Sequence, residues 1–117
     1  MTIRKLIRNG IPKVIKLERD DFSVIRLDGN ELLAALKDKL LEEASEAHGA
    51  KNTEQLCDEL CDLLEVIIAL SHALNLTLCD IVAAADAKRN RLGGFSEGLL
   101  LIIGDDEIIN GQEPLPT

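Results

Sequence analysis

Leu56, Leu60, Leu63, Ile67, Leu70 and Leu74 recur at alternating steps of four and three. That period belongs to an α-helix burying one side. It dominates what the chain can fold into, because other core material is scarce: 117 residues contain two Phe, no Trp and no Tyr. A core restricted to Leu, Ile, Val and Ala favours helix packed on helix. A second stripe, Leu33, Leu36, Leu40, Ala44 and Ala47, predicts a partner helix that starts at Asp28 and ends near Gly49. Asp28 and Glu31 have the spacing of a capping pair, as do Asn52 with Gln55 and Thr77 with Asp80. The third of these pairs opens a helix that Gly93-Gly94 closes, after Lys88, Arg89 and Arg91 have placed positive charge on its C-terminal dipole. The expected architecture is a single all-α domain over 1–117. It is an antiparallel helical bundle with a helical turn after Pro12, short strands at 22–27 and 97–103, and an acidic tail at 104–117.

Charge excludes several function classes. Thirteen Lys and Arg against 21 Asp and Glu leave a net charge of −8, which repels nucleic-acid phosphates and anionic lipid. The expectation is no nucleic-acid partner and no membrane. The opening, Met1 to Arg8, interrupts its apolar residues with bases, unlike a signal-peptide core. The longest apolar run, 99–103, is far too short to span a bilayer. Cys57, Cys61 and Cys79 lack C-x-x-C spacing and read as small hydrophobes in a reduced, cytoplasmic setting. With only two scattered His, they do not make a zinc site.

The chemistry lies in two acidic clusters, Glu42-Glu43-x-x-Glu46 and Glu59-x-x-Asp62. At about 100° per residue, Glu59 and Asp62 fall roughly 60–120° to one side of their Leu stripe. Glu43 and Glu46 lie about 50–110° from theirs, in the same rotational sense. Asp58 and Glu65 point away from the stripe, to solvent. The link at 49–52 is short, so the two helices pack antiparallel. Equal offsets then put Glu43, Glu46, Glu59 and Asp62 on one side of the pair and at one height. Four such acids repel each other strongly unless cations are bound, and Mg²⁺ or Mn²⁺ suits oxygen ligands. A di-iron bundle site would need Glu-x-x-His, but Ser45 and Ala69 stand three residues before His48 and His72. Those histidines read as surface or helix-end residues. Cys57, Cys61, Leu64 and Ile68 add a second apolar strip to the same helix, more than one small domain can bury, so a homodimer or homotetramer built on this helix is expected.

Glu43-x-x-Glu46, twelve intervening residues, and Glu59-x-x-Asp62 resemble the metal-binding signature of the all-α nucleoside triphosphate pyrophosphohydrolases. That superfamily includes MazG-like enzymes and phosphoribosyl-ATP pyrophosphohydrolase. The opening Lys5-Leu6-Ile7-Arg8-Asn9-Gly10-Ile11-Pro12 is similar to the KLVRDKIP start of one MazG-like branch, with Asn9-Gly10 replacing Asp-Lys. Lys88-Arg89-Asn90-Arg91-Leu92-Gly93-Gly94-Phe95 is similar to its KR-x-x-R-GGF ending. The resemblance implies a MazG-like bundle completed by oligomerisation, which uses Mg²⁺ to split a nucleoside triphosphate into monophosphate and pyrophosphate. It implies Glu43, Glu46, Glu59 and Asp62 as metal ligands and Glu42 as support for the water or a second metal. Lys88, Arg91, Lys5 and Arg8 are the candidate substrate-binding cations.

Phosphoanhydride cleavage chiefly needs charge neutralisation and an aligned water. The chain has no G-x-x-x-x-G-K-[ST] loop, and Gly93-Gly94 stands at a helix C-terminus, where carbonyls rather than N–H groups point outward. Pyrophosphate, which metals chelate through several oxygens, is therefore the expected leaving group. Two alternatives stay open from sequence. One is a modified nucleotide such as phosphoribosyl-ATP as substrate; the other is a non-catalytic helical dimerisation module.

Overall fold

The computed structural model describes residues 2–104. Among them are four helices and no strand: α1 (Ile11–Lys16), α2 (Gly29–His48), α3 (Thr53–Ala73) and α4 (Leu78–Leu92). The chain forms two compact units, Met1–Leu78 and Cys79–Thr117. No single helix is long and apolar enough to cross a membrane.

In the first unit α2 and α3 form an antiparallel hairpin joined by residues 49–52. Asn52 ends the loop in an extended conformation, and its side chain accepts a 2.8 Å hydrogen bond from the Gln55 N–H. The Gln55 Oε1 in turn accepts a 3.0 Å bond from the Lys51 N–H, so Asn52 and Gln55 start α3 together. Asp28 holds the corresponding extended position before α2 but makes no side-chain capping bond. The expected pairing with Glu31 is thus corrected: backbone conformation and dipole, not a carboxylate cap, begin that helix. Pro12 occupies the first turn of α1, where its missing N–H costs nothing. In the second unit Gly93, at φ 84°, adopts the left-handed conformation that stops α4, and its N–H bonds Arg89 O at 2.7 Å.

The strands expected at 22–27 and 97–103 do not form. A strand needs a partner edge for its backbone, and none exists among the described residues. Leu99, Leu100, Leu101 and Ile102 are accordingly exposed. The tail expected at 104–117 lies outside the described residues from 105 onward.

The core is thin. Leu36 of α2 and Val66 of α3 are its buried aliphatic side chains among the described residues. The inner side of α3 is therefore centred on Val66, and the expected Leu stripe is only partly turned inward. Leu63, Ile67 and Leu70 are half-buried, but Leu56, Leu60 and Leu74 remain exposed. Two long helices can cover about one side of each other, which leaves the rest of the stripe over. Cys57 and Cys61, expected as buried small hydrophobes, are exposed free thiols beside Leu60.

The unequal caps give a test. Asn52→Ala should cost about 1 kcal/mol of stability by urea unfolding, and Asp28→Ala less than half of that. Equal losses would mean that Asp28 caps α2 in solution.

Candidate metal centre

The hairpin carries its acids on the sides of α2 and α3 that meet. Glu43 lies two turns beyond Leu36 on α2 and is about as buried as that leucine, at 6% exposure. Glu46 follows on the next turn, and Glu59 faces them from α3. One carboxylate oxygen from each of Glu43, Glu46 and Glu59 lies within 4.8 Å of the others. Asp62 belongs to a second group, with Asp58 and Glu59, of the same dimension. Glu59 is common to both. Of the four acids singled out in the sequence, three converge directly and Asp62 adjoins them through Glu59. Asp58 is exposed as expected, yet its carboxylate turns toward Glu59 and Asp62.

Cations answer this charge from two sides. Arg8 Nη2 donates a 2.7 Å hydrogen bond to Asp62 Oδ1, and Lys5 Nζ lies 3.0 Å from Glu42 Oε1. Lys39, only 19% exposed, sits 3.4 Å from both Glu42 and Glu43. The hydrogen bond to Lys5 holds the Glu42 carboxyl below the usual range, with Lys39 adding its charge. Reciprocally, the Glu42 hydrogen bond raises Lys5. Glu42, expected to support the reaction, thus stands beside the three-acid cluster with two ammonium groups on it. Lys39 was not anticipated; its signal was its position four residues before Glu43, on the same helical face. Lys88 and Arg91 lie exposed on the last turns of α4, in the second unit.

The cations do not satisfy the cluster. Glu43 Oε2 and Glu59 Oε2 are buried oxygens without a hydrogen-bond partner. Glu59 is pushed up to about 7, first by desolvation, then by a hydrogen bond with Glu46 and the charges of Glu46, Asp62 and Glu43. An all-oxygen donor set with two orphaned carboxylate oxygens fits a hard divalent cation.

An all-α fold with such a carboxylate cluster between paired helices could hold a metal ion there. The sequence model of the phosphoribosyl-ATP pyrophosphohydrolase family matches residues 19–89, which include all four predicted ligands. The chain belongs to that family, within the MazG-like all-α nucleoside triphosphate pyrophosphatase superfamily. Its family activity is that of a pyrophosphohydrolase acting on a nucleotide. No curated protein and no solved structure matches the chain.

Glu59 makes metal-free stability depend on pH. Its proton is lost near 4.5 in the unfolded chain but near 7 in the folded one. The folded state therefore binds more protons within that window, and stability falls as pH rises through it. In EDTA, the melting temperature of the wild type minus that of Glu59→Gln should decline between pH 4.5 and 7 and level off above. Parallel profiles would show that Glu59 titrates normally.

Proposed function

We propose that this protein is a cytoplasmic, Mg²⁺-dependent hydrolase that converts a nucleoside triphosphate to its monophosphate and pyrophosphate. The observation that carries the reading is the buried Glu43, with an unpartnered oxygen, within 4.8 Å of Glu46 and Glu59. Glu43, Glu46, Glu59 and Asp62 would hold the ion, with Mn²⁺ as a substitute. Bound there, Mg²⁺ supplies neutralisation of phosphate charge and a lowered pKa for the attacking water. Arg8 and Lys5 contribute donors to the phosphate oxygens without competing for a cation. Lys88 and Arg91, on α4, are further candidate phosphate-binding cations. Glu42, oriented by Lys5 and Lys39, is the acceptor that positions the water. Three free, exposed cysteines suit a reducing compartment.

The family match favours a second substrate, phosphoribosyl-ATP. Its cleavage releases the same pyrophosphate, so the chemistry does not separate the two. The working form is proposed as a homodimer or homotetramer. Leu60, 51% exposed, with Leu56 and Leu64 forms an apolar face on α3 that a second copy would cover. Sedimentation should give a dimer or larger at micromolar concentration; a monomer would defeat that part.

The products test the reaction. Phosphorus NMR of protein with Mg²⁺ and each common NTP, dNTP or phosphoribosyl-ATP should show pyrophosphate release in a fixed ratio to the nucleotide product. Diphosphate and free phosphate from an NTP would sink the pyrophosphohydrolase reading. No turnover, together with no Mg²⁺ effect on melting, would favour the dimerisation module.

Glu43→Gln separates ligand from scaffold. It should lower turnover roughly 100-fold or more, while the metal-free melting temperature holds or rises, because one charge leaves a self-repelling cluster. A large fall in melting temperature would assign Glu43 to the fold instead.

A further inference from the structure

Asp62 stands apart among the four acids assigned to the ion. Glu43, Glu46 and Glu59 bring one oxygen each within 4.8 Å of one another, whereas Asp62 groups with Glu59 and Asp58 instead. It is also the acid of the four that an arginine holds: Arg8 Nη2 donates to its Oδ1 at 2.7 Å. A guanidinium and a divalent cation repel each other, so the two do not share one carboxylate oxygen. The rest of the segment around Arg8 is fixed. Lys5 is anchored on Glu42, which belongs to neither acid group. Leu6 and Ile7 are half-buried and line the groove with Ile11 and Ile15 of α1. The Arg8 carbonyl accepts a 3.1 Å bond from the Ile11 N–H, which holds its backbone in the turn before α1. The exposed side chain of Arg8 is thus the part of this segment with freedom to move.

We propose that Arg8 and the divalent ion are alternative occupants of Asp62: binding of the ion turns the guanidinium off the carboxylate, and only then is Arg8 free to receive an anionic phosphate. The inference rests on the pyrophosphohydrolase reading and deepens it, because it makes arrival of the ion the event that prepares Arg8. The magnitudes favour exchange. The Arg8 and Asp62 side chains are 56% and 37% exposed, and water screens such a pair until it is worth little. A doubly charged ion held by several carboxylates at once exerts the stronger pull on Asp62. Until it binds, the guanidinium offsets the repulsion of Asp58 and Glu59 on Asp62, which keeps it in place. The coupling runs both ways: the factor by which the ion loosens Arg8 is the factor by which Arg8 weakens the ion. Lys5, whose partner Glu42 stands outside the acid groups, keeps its ion pair throughout.

Two measurements without nucleotide test this. The first is Mn²⁺ binding to EDTA-treated protein, followed by the electron paramagnetic resonance of the free ion. Arg8→Gln should bind Mn²⁺ about threefold or more tighter than the wild type, the order of effect expected from removing an exposed ion pair. Arg4→Gln takes the same charge from a residue that makes no ion pair among the described residues, and should leave the affinity near the wild-type value. The second needs no variant of altered stability. By NMR of wild-type protein with isotope-labelled arginine, rotation of the Arg8 guanidinium, hindered while Asp62 holds it, should become fast at saturating Mg²⁺. The guanidinium groups of Arg19 and Arg89, paired with Asp21 and Asp86, should not change. Equal or weaker Mn²⁺ binding in Arg8→Gln, an equal gain in Arg4→Gln, or an Arg8 guanidinium that stays hindered with Mg²⁺ bound overturns the proposal and leaves the pyrophosphohydrolase reading standing. Absence of Mn²⁺ and Mg²⁺ binding in wild type and variants alike overturns both.

Discussion

Everything in the first unit depends on the repulsion among Glu43, Glu46 and Glu59. These acids occupy the seam that also contains the buried Leu36 and Val66, so the interface that folds the hairpin is the one that concentrates its charge. A burial of one or two aliphatic side chains is worth about 1.5–3 kcal/mol each. Clustered carboxylates forced together in partial desolvation work against a gain of that size. The proton held by Glu59 to about 7 is one release of this tension. The cations drawn from Lys5, Arg8 and Lys39 are another. A divalent ion would be the most effective of the three, which is why fold and function are hard to separate in this hairpin.

The segment before α1 supplies cations to the acids of the hairpin. The family match begins at residue 19, so Lys5 and Arg8 lie outside the shared region while the carboxylates they touch lie inside it. Chain that is local in sequence to α1 is thereby turned into a wall of the groove. Arg8 reaches Asp62 across 54 residues, and Lys5 reaches Glu42. Exposed pairs of this kind contribute little to stability, typically ~0–1 kcal/mol. Their consequence is positional: they hold positive charge beside the acids.

The hairpin was legible in the sequence because its signals are local. Apolar period, the Asn52–Gln55 cap and Gly93 each act over a few residues, and each is found where expected. Convergence of Glu43, Glu46 and Glu59 was legible too, since two helical phases and one short loop determine it. The strands at 22–27 and 97–103 were misread because alternation of apolar residues says nothing about a partner edge. The direction of the α3 stripe was misread for a related reason: Leu56 and Leu60 look like core until the number of neighbouring helices is known.

The sequence alone therefore determined the helices, their antiparallel pairing and the face that carries the acids, all consequences of backbone periodicity and short-range capping. Only the tertiary structure decided which of those acids is buried, that Lys39 and Arg8 stand against them, and that a cavity of mixed polar and aliphatic lining continues the groove. Those features arise from contacts between residues distant in the chain. Burial and charge pairing depend on what lies across the groove, and no local pattern records that.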